Sequence, residues 1–440
     1  MRPGDDHLSD LADRGVRPRI DALTARDRLV AALTRATRAL IRASGRGRGA
    51  TLPGLLAERW APGIAGRAAA RLDRVVLVSG TNGKTTTTAM LVAALGSAGG
   101  RVTTNAEGSN LTRGLTAALL TASRDARDAV LEVDEAVLAG AVDQLRPDLV
   151  VLLNLSRDQL DRHHEPTALA TRWRAAMAAL PQTAVAVAFA DDPRTAWAAD
   201  AAPLSMLVTM PGAAGPRDGG LCPRCGALFD RPPDAARRCP RCAWRPDVAA
   251  MVDVHRWTST IALERAGRTY RARLTVATDG YAIDTALAWT AATILGADPA
   301  AALDAIARLG AVQDRYADRR WRGRRVRLLL AKNPAGWDEA LAAATDRRRA
   351  AVVAVNAGTV DGRDTSWLWD VDMRRLRGRL KVTATGARAE DVGLRLEAAG
   401  VDCDLVRSLE AAIAGTGECD VDLFADYTSF RSAQRLLDHG

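Results

Sequence analysis

The sequence predicts an α/β protein: a mostly parallel sheet wrapped by helices, with a small cysteine-bearing insertion and a second, smaller α/β domain at the C-terminus. Three observations predict this fold class. From about residue 51, short apolar runs alternate with helical stretches, a pattern typical of parallel sheets. Residues 211–250 interrupt it with Pro, Gly, Arg and four Cys. The densely charged stretch Asp314–Arg325 then precedes a second alternating region.

Length and composition agree with this division. The 440 residues suit two or three domains of about 100–200 residues each, and a hydrophobic content of 48% excludes a wholly disordered chain. We predict a tail and amphipathic helix over residues 1–50 and a central domain over 51–313, with the insertion at about 211–250. A C-terminal domain is predicted over 314–440, with Asp314–Arg325 as the linker.

Buried strands are predicted where apolar and β-branched residues run together. In the central domain they are Val75–Ser79, Ala129–Val133, Leu149–Leu153, Ala184–Phe189, Ser259–Leu263 and Tyr270–Thr275. In the C-terminal domain they are Val326–Ala331, Ala351–Val355, Leu380–Thr385 and Val421–Ala425. Apolar spacing predicts helices over residues 21–45, Ala286–Leu295 and Pro299–Leu309.

Charge and hydropathy indicate the possible partners of the protein and its place in the cell. The formal charge of +9 suits an anionic substrate, an anionic lipid surface or nucleic acid. No run of 18 or more apolar residues occurs, so no transmembrane helix is predicted. Met1–Asp13 is charged and lacks the apolar segment of a signal peptide. We therefore expect a cytoplasmic protein.

The run Val75–Thr86 is the most informative part of the chain, because a buried strand ends there in a Gly-bounded turn before a helix. Such a turn presents N–H groups and a helix N-terminus to phosphate oxygens. Lys84 can reach the β- and γ-phosphates of ATP, and the Thr85 hydroxyl can bind Mg²⁺. An ordinary Gly-rich turn is the alternative. The predicted ATP-binding residues here are Gly80, Thr81, Asn82, Gly83, Lys84, Thr85 and Thr86.

Acidic residues end a later predicted strand, at Glu132, Asp134 and Glu135. Carboxylates at a strand end beside the phosphate loop can hold Mg²⁺ against the phosphates. We predict that Glu132 binds Mg²⁺ together with Thr85, and that Glu132 and Lys84 are catalytic. A solvated strand end is the alternative.

Four cysteines form two matching Cys-Pro-Arg-Cys pairs, with thirteen residues between the pairs. Two such pairs match the tetrahedral Cys₄ site of a zinc ribbon. A closed Cys₄ site has no open coordination position, so a structural role is expected. The predicted zinc ligands are Cys222, Cys225, Cys239 and Cys242. Cys403 and Cys419 are isolated, and no catalytic role is expected for them.

The short Gly-Thr-Asn-Gly-Lys-Thr loop resembles that of the Mur ligase family, whose members use ATP to form amide bonds on peptidoglycan precursors. The segments Asn105–Leu111 and Asn154–His163 extend the resemblance. Gln159 replaces the His of amino-acid-adding members, which indicates a divergent branch. The resemblance implies a phosphate contact for Arg315. Thr285 stands where the family often has an Asn that contacts the nucleotide.

Three C-terminal segments, Lys332–Gly336, Asp361–Asp370 and Asp426–Ser429, resemble the synthetase subunits of the lipid II-amidating branch of this family. This resemblance implies an ATP-dependent carbon–nitrogen ligase of peptidoglycan biosynthesis. Its implied substrate is the D-glutamate α-carboxylate of the lipid II stem peptide, activated as an acyl phosphate and amidated to D-isoglutamine. It also implies a heterodimer with a GatD-type glutamine amidotransferase subunit, which supplies ammonia, at the inner face of the cell membrane.

The same resemblance implies that Asp364 is catalytic in the partner's glutaminase site, with Asp361 and Asp370 as alternatives. Trp367 and Trp369 follow closely and suit an interface. The structural alternative is that Asp364 caps a turn or helix. Two other functions stay open: a stand-alone amino-acid-adding ligase and a zinc-ribbon, nucleic-acid-dependent ATPase. Few aromatic residues flank the ribbon for base stacking, so no nucleic-acid partner is expected.

Overall fold

The computed structural model describes two compact units, one made of residues up to 309 and the other of residues from 316. The described residues are 23–43, 51–97, 99–105, 109–156, 166–211, 217–229, 238–246, 251–257, 259–276, 278–309, 316–358, 361 and 364–438. No helix within these ranges is long and apolar enough to cross a membrane.

The first unit is built on a nine-stranded sheet. Its strands are β1 Arg74–Ser79, β2 Arg101–Thr104, β3 Ala126–Val133, β4 Leu149–Leu152, β5 Val185–Phe189, β6 Leu204–Thr209, β7 Met251–Trp257, β8 Thr260–Arg265 and β9 Arg268–Arg273. They lie in the order β2-β3-β1-β4-β5-β6-β7-β8-β9. Neighbours from β2 to β7 are parallel, and β7, β8 and β9 pair antiparallel.

Helices precede, connect and follow these strands. They are α1 Ala25–Ala43, α2 Thr51–Trp60, α3 Ile64–Ala69, α4 Lys84–Gly96, α5 Thr112–Thr121, α6 Leu138–Leu145, α7 Pro166–Ala178, α8 Pro193–Ala199, α9 Asp279–Ile294 and α10 Pro299–Arg308. Strand β1 is fully buried from Val76 to Val78 and lies between β3 and β4. The connection from β1 leads to β2 on one side of the sheet, whereas the connection from β4 leads to β5 on the other side. Such a switch point opens a crevice at the carboxyl ends of the two strands.

The second unit is built on a six-stranded sheet in the order β10-β11-β15-β12-β13-β14. Its elements are β10 Tyr316–Trp321, β11 Arg324–Leu330, α11 Pro334–Ala343, β12 Ala350–Ala354, β13 Val382–Thr385, α12 Ala389–Ala398, β14 Asp404–Leu405, α13 Leu409–Ala414, β15 Val421–Ala425 and α14 Tyr427–Asp438. Two short 3₁₀ helices, Ser366–Asp370 and Met373–Leu376, follow β12.

Alternate residues of the central strands in this second sheet serve two separate apolar clusters. Val353 and Phe424 belong to one cluster, and Val352 and Leu423 belong to the other. Because successive side chains of a strand point to opposite faces, both faces of this sheet are covered. Its near-continuous apolar strands are the expected consequence.

The α/β class with a mostly parallel sheet is confirmed, and each of the ten predicted strands is present, with ends shifted by at most three residues. The prediction that Asp314–Arg325 is a linker is wrong for its described part. Residues 316–321 form β10, which pairs antiparallel with β11. Trp321 is buried while Arg320 is exposed, and an edge strand tolerates such charged residues on its solvent face.

Candidate functional site

The phosphate loop, residues 80–83, connects β1 to α4 at the switch point of the first sheet. Gly80 and Gly83 have φ angles of +154° and +87°. A Cβ atom at Gly83 would lie 2.3 Å from Oδ1 of Asp284, and one at Gly80 would lie 2.7 Å from Cβ of Leu153. A side chain at Gly80 would collide with the Leu153 Cβ atom, and one at Gly83 would have to displace the Asp284 carboxylate, so both positions favour glycine for steric as well as conformational reasons.

The end of the neighbouring strand holds this loop in place. Asn154, just after β4, donates from Nδ2 to the Asn82 carbonyl at 3.1 Å and accepts from the Asn82 N–H at 3.0 Å. Its own carbonyl accepts from the Thr81 N–H at 2.9 Å. The Thr81 hydroxyl accepts from the Ser156 N–H at 3.1 Å. The sequence identified Asn154 only as part of a motif, and its role as a clamp on the loop comes from the topology.

Lys84 begins α4 and is buried. Its Nζ lies 2.9 Å from Oε2 of Glu135 and also donates to the carbonyl oxygens of Gly80 and Thr81. Burial alone would lower the pKa of Lys84, but the carboxylates of Glu135 and Glu132 raise it above its usual range. The ammonium is therefore held fully charged at the loop.

Thr85 and Glu132 meet as the sequence predicts. The Thr85 hydroxyl donates to Oε2 of Glu132 at 2.8 Å. Asn105 fixes the backbone of Glu132 on both sides, because its amide donates to the Glu132 carbonyl and accepts from the Glu132 N–H, each at 2.8 Å. A hydroxyl and a carboxylate side by side are oxygen ligands of the kind that Mg²⁺ prefers, so these two residues fit the predicted metal role.

Two neighbouring residues of α9, Asp284 and Thr285, have different surroundings. Thr285 is fully buried, and its hydroxyl donates to the Tyr281 carbonyl of its own helix at 2.8 Å. The preceding residue, Asp284, places its carboxylate against Gly83 instead. Arg315 and Gln159 lie outside the described residues.

The four cysteines of the insertion come together. The Sγ atoms of Cys222 and Cys242 are 3.7 Å apart, those of Cys225 and Cys239 are 3.6 Å apart, and all four lie within 4.8 Å of one another. Tetrahedral zinc with Zn–S bonds of about 2.3 Å would place sulfur atoms about 3.8 Å apart. The thiol set thus fits Zn²⁺ in number, type and spacing.

The two cysteine pairs are built alike. In each pair, the backbone carbonyl of the first Cys accepts a hydrogen bond from the N–H of the residue four positions later. The backbone N–H of the same Cys donates to the carbonyl of the residue five positions later. The residue directly after each pair, Gly226 or Ala243, has a positive φ angle, +71° or +59° respectively. Burial acts to raise the pKa of Cys239, yet the backbone N–H groups of Cys242 and Arg241 lower it to about 6, which favours a thiolate there. Burial raises the pKa of Cys222 to about 12, so without a metal ion the two thiols differ.

The insertion packs on the first unit through a small apolar cluster. Phe229 and Trp244 join Cys222 and Cys239 against Ala196 of α8. The insertion departs after β6 and returns as β7, which pairs parallel with β6. The Cys₄ cluster therefore belongs to a connection between two parallel strands, and its fold depends on few apolar residues.

In the second unit, the Asp361–Asp370 segment contains acidic residues in contrasting surroundings. Asp364 is exposed, and its Oδ1 accepts from the Ser366 N–H at 2.8 Å ahead of the 3₁₀ helix Ser366–Asp370. Asp361 is buried and accepts from the Thr428 N–H at 2.9 Å. Asp364 thus makes the kind of turn-capping hydrogen bond that the sequence offers as its alternative role. Because Asp364 is exposed, its carboxylate is also accessible.

Known protein families match a part of each unit. The Mur ligase middle domain matches residues 78–214, and the MurT ligase C-terminal domain matches residues 330–430. The lipid II isoglutaminyl synthase (glutamine-hydrolyzing) subunit MurT of Streptococcus pneumoniae is 29% identical over 435 residues, which covers 89% of this chain and 93% of that protein. The MurT subunit of Staphylococcus aureus strain COL is 26% identical over 402 residues, 87% of this chain and 91% of that protein.

Solved structures agree on the fold. A crystal structure of MurF from Acinetobacter baumannii superposes with a TM-score of 0.65 at 16% identity, and the match covers 88% of this chain and 81% of that one. At this identity the likeness concerns the fold.

Proposed function

The chain belongs to the Mur ligase family and is an ATP-dependent ligase, and on that premise we propose that it is the synthetase subunit of a lipid II isoglutaminyl synthase. In this proposal, ATP phosphorylates the D-glutamate α-carboxylate of the lipid II stem peptide. Ammonia then attacks the acyl phosphate carbon, the C–N bond forms as phosphate leaves, and D-isoglutamine results. The substrate is membrane-anchored, so the enzyme is expected at the cytoplasmic face of the membrane.

The arrangement at the phosphate loop carries this proposal. Lys84 is charged and buried beside Gly80 and Thr81, where it would exchange loop carbonyls for phosphate oxygens. Thr85 and Glu132 together offer two oxygen ligands for Mg²⁺, which would neutralise phosphate charge when bound. Positioning and charge neutralisation of this kind account for most of the catalysis in phosphoryl transfer.

A separate subunit is the proposed source of ammonia. A glutaminase nucleophile is a cysteine whose pKa is lowered by its surroundings. Of the six cysteines of this chain, four form the Cys₄ cluster, and the other two, Cys403 and Cys419, are isolated from one another in the second unit. Burial and the neighbouring Asp404 raise the pKa of Cys403, which disfavours a thiolate there. We infer a GatD-type glutamine amidotransferase partner in a heterodimer.

Asp364 is the proposed contribution of this chain to the partner's active site. The His that activates a cysteine nucleophile needs a third group to fix its tautomer and orientation. Asp364 is exposed and only one of its oxygens has a backbone partner in the described residues. Asp361 is buried and holds the start of α14 through Thr428, which leaves it less able to reach a partner. Trp369 is 57% exposed and would pack at the same interface.

The test separates the two active sites by nitrogen source. In the complex with the partner, Asp364→Asn is expected to lose most glutamine-dependent amidation of lipid II and to keep amidation driven by added ammonium. Asp402→Asn, an exposed carboxylate of the second unit outside this segment, is the matched control and is expected to behave like wild type. Asp370→Asn tests the alternative residue, and loss of glutamine-dependent amidation in that variant alone would assign the role to Asp370. Equal loss with both nitrogen sources would assign Asp364 to the synthetase site or the fold. Amidation or amino-acid addition without any partner would instead indicate a stand-alone ligase.

We also propose a structural zinc ion at Cys222, Cys225, Cys239 and Cys242. The insertion has a small apolar cluster, so the metal would supply much of its folding free energy. A site closed by four thiolates would take no part in the reaction.

A further inference from the structure

Nearly all of the excess positive charge of the chain lies in one short region. Residues 14–48 contain ten Arg and two Asp, a formal charge of +8, whereas the whole chain carries +9. The remaining residues are therefore close to neutral in sum. Helix α1, Ala25–Ala43, occupies the centre of this basic region.

One face of α1 is fixed to the first unit. Val30 and Ala31 are buried in its main apolar cluster. Asp27 forms an ion pair with Arg67 of α3 at 2.7 Å, and the Arg35 guanidinium donates to the Leu120 carbonyl near the end of α5 at 3.1 Å. The orientation of α1 about its own axis is thereby set.

The opposite face presents a row of leucines to solvent. Leu29, Leu33 and Leu40 are 62%, 44% and 71% exposed. With 3.6 residues per turn, positions 29, 33 and 40 fall within about 40° of one another around the helix, and Ala36 lies about 20° to one side of Leu29. Exposed single leucines are ordinary, but three in one row on a helix that already buries its other face form a second apolar stripe.

We propose that this leucine stripe, Leu29, Leu33 and Leu40, docks α1 flat on an anionic lipid bilayer. The apolar stripe would enter the boundary between headgroups and acyl chains, and the flanking arginines would contact lipid phosphates. Arg26 is exposed about 20° to one side of the stripe, and Arg28 is exposed about 100° to the other side. A nucleic acid would bind the arginines through its phosphates but would leave the leucines exposed to water. An ordinary protein interface would cover the leucines but would not require a region of charge +8. This surface stands independently of the reaction proposed above.

The experiment is co-sedimentation of the full chain with vesicles that contain no lipid II, without ATP. Vesicles of phosphatidylcholine alone are compared with vesicles containing about one third phosphatidylglycerol. Wild type is expected to bind the anionic vesicles only, and about 0.5 M salt should release much of it. Because neither substrate nor nucleotide is present, a failure here leaves the proposed ligase reaction untouched.

Two variants test the stripe and its charge. The triple variant Leu29→Ser, Leu33→Ser, Leu40→Ser is expected to weaken binding about tenfold or more. Its matched control changes three equally exposed leucines of the second unit, Leu380→Ser, Leu394→Ser and Leu405→Ser. The double variant Arg26→Glu, Arg28→Glu is also expected to weaken binding about tenfold or more, because each arginine near an anionic surface contributes about fivefold. Its control reverses two exposed arginines elsewhere, Arg271→Glu and Arg320→Glu.

Circular dichroism confirms that each variant is folded. Binding by the controls with loss in both test variants supports the proposal. Equal binding by wild type and the triple variant overturns it, as does equal binding to neutral and anionic vesicles. A wild-type dimer that becomes monomeric in the triple variant, with no vesicle binding, would show instead that the stripe joins two copies of the chain.

Discussion

Replacement of Lys84 by Ala is expected to affect stability as well as catalysis. The Lys84 and Glu135 side chains are 10% and 5% exposed and 2.9 Å apart. Removing one partner of such a buried pair leaves an uncompensated charge and costs about 3–5 kcal/mol. We expect the lower end, about 3 kcal/mol, or a fall in Tm of roughly 6–12 °C for a unit of this size.

A second substitution separates the two effects. In Lys84→Ala with Glu135→Gln, the buried charge is gone, so at least half of the lost Tm should return. ATP hydrolysis should stay abolished in both variants, since neither has a cation for the transferring phosphoryl group. The single variant Glu135→Gln completes the double-mutant cycle.

The assay is thermal unfolding at several pH values, with ATP hydrolysis measured in parallel. The folded-state pKa of Lys84 is raised above 10.5, so the wild-type pair stabilises the protein below that pH and is lost only as pH rises through the raised pKa. In Lys84→Ala, lowering the pH protonates the unpaired carboxylate, so the deficit should be larger at pH 8 than at pH 5. A wild-type Tm for Lys84→Ala, or a double variant no more stable than the single one, would refute this reasoning.

Three further predictions follow from the contacts. Metal analysis should find about one zinc per chain, and Cys225→Ser should lose the metal and lower Tm while ATP hydrolysis by the remaining folded protein persists; metal-free wild type of unchanged stability would contradict this. Gly83→Ala should cost about 2 kcal/mol or more from its left-handed backbone and its contact with Asp284, and a double-mutant cycle with Asp284→Ala should show partial relief in urea unfolding. Hydrogen bonding to Arg67 holds the pKa of Asp27 well below its usual range, so this pair stabilises the protein above about pH 4 and is lost on acidification; Asp27→Asn should flatten the acid limb of a stability–pH curve.

The sequence predicts those parts of the fold whose signal is local. Val76, Leu77 and Val78 are fully buried in a run of β-branched and apolar residues, and β1 lies where the sequence predicts it. The sequence does not predict β10, although its partner β11 begins only three residues after β10 ends, because the Arg-rich residues of this edge strand lack the apolar pattern of a strand. The sequence does not predict β7 for a different reason: β7 pairs in parallel with β6, which lies on the other side of the cysteine insertion in the chain.

In the candidate site, too, the sequence predicts the residues that lie close together in the chain, but not the contacts that depend on strand order. Lys84 and Thr85 are recognisable because a strand, a Gly-bounded turn and a helix follow one another directly in the chain. Their partners depend on strand order: Glu135 follows β3, and β3 is adjacent to β1 although β2 lies between them in sequence. The place of Asp284 against Gly83 depends on how α9 packs on α4, whereas the neighbouring Thr285 is bonded within its own helix. Adjacent helix positions point about 100° apart, so a motif can locate the right turn of a helix and still leave open which side chain faces the nucleotide loop.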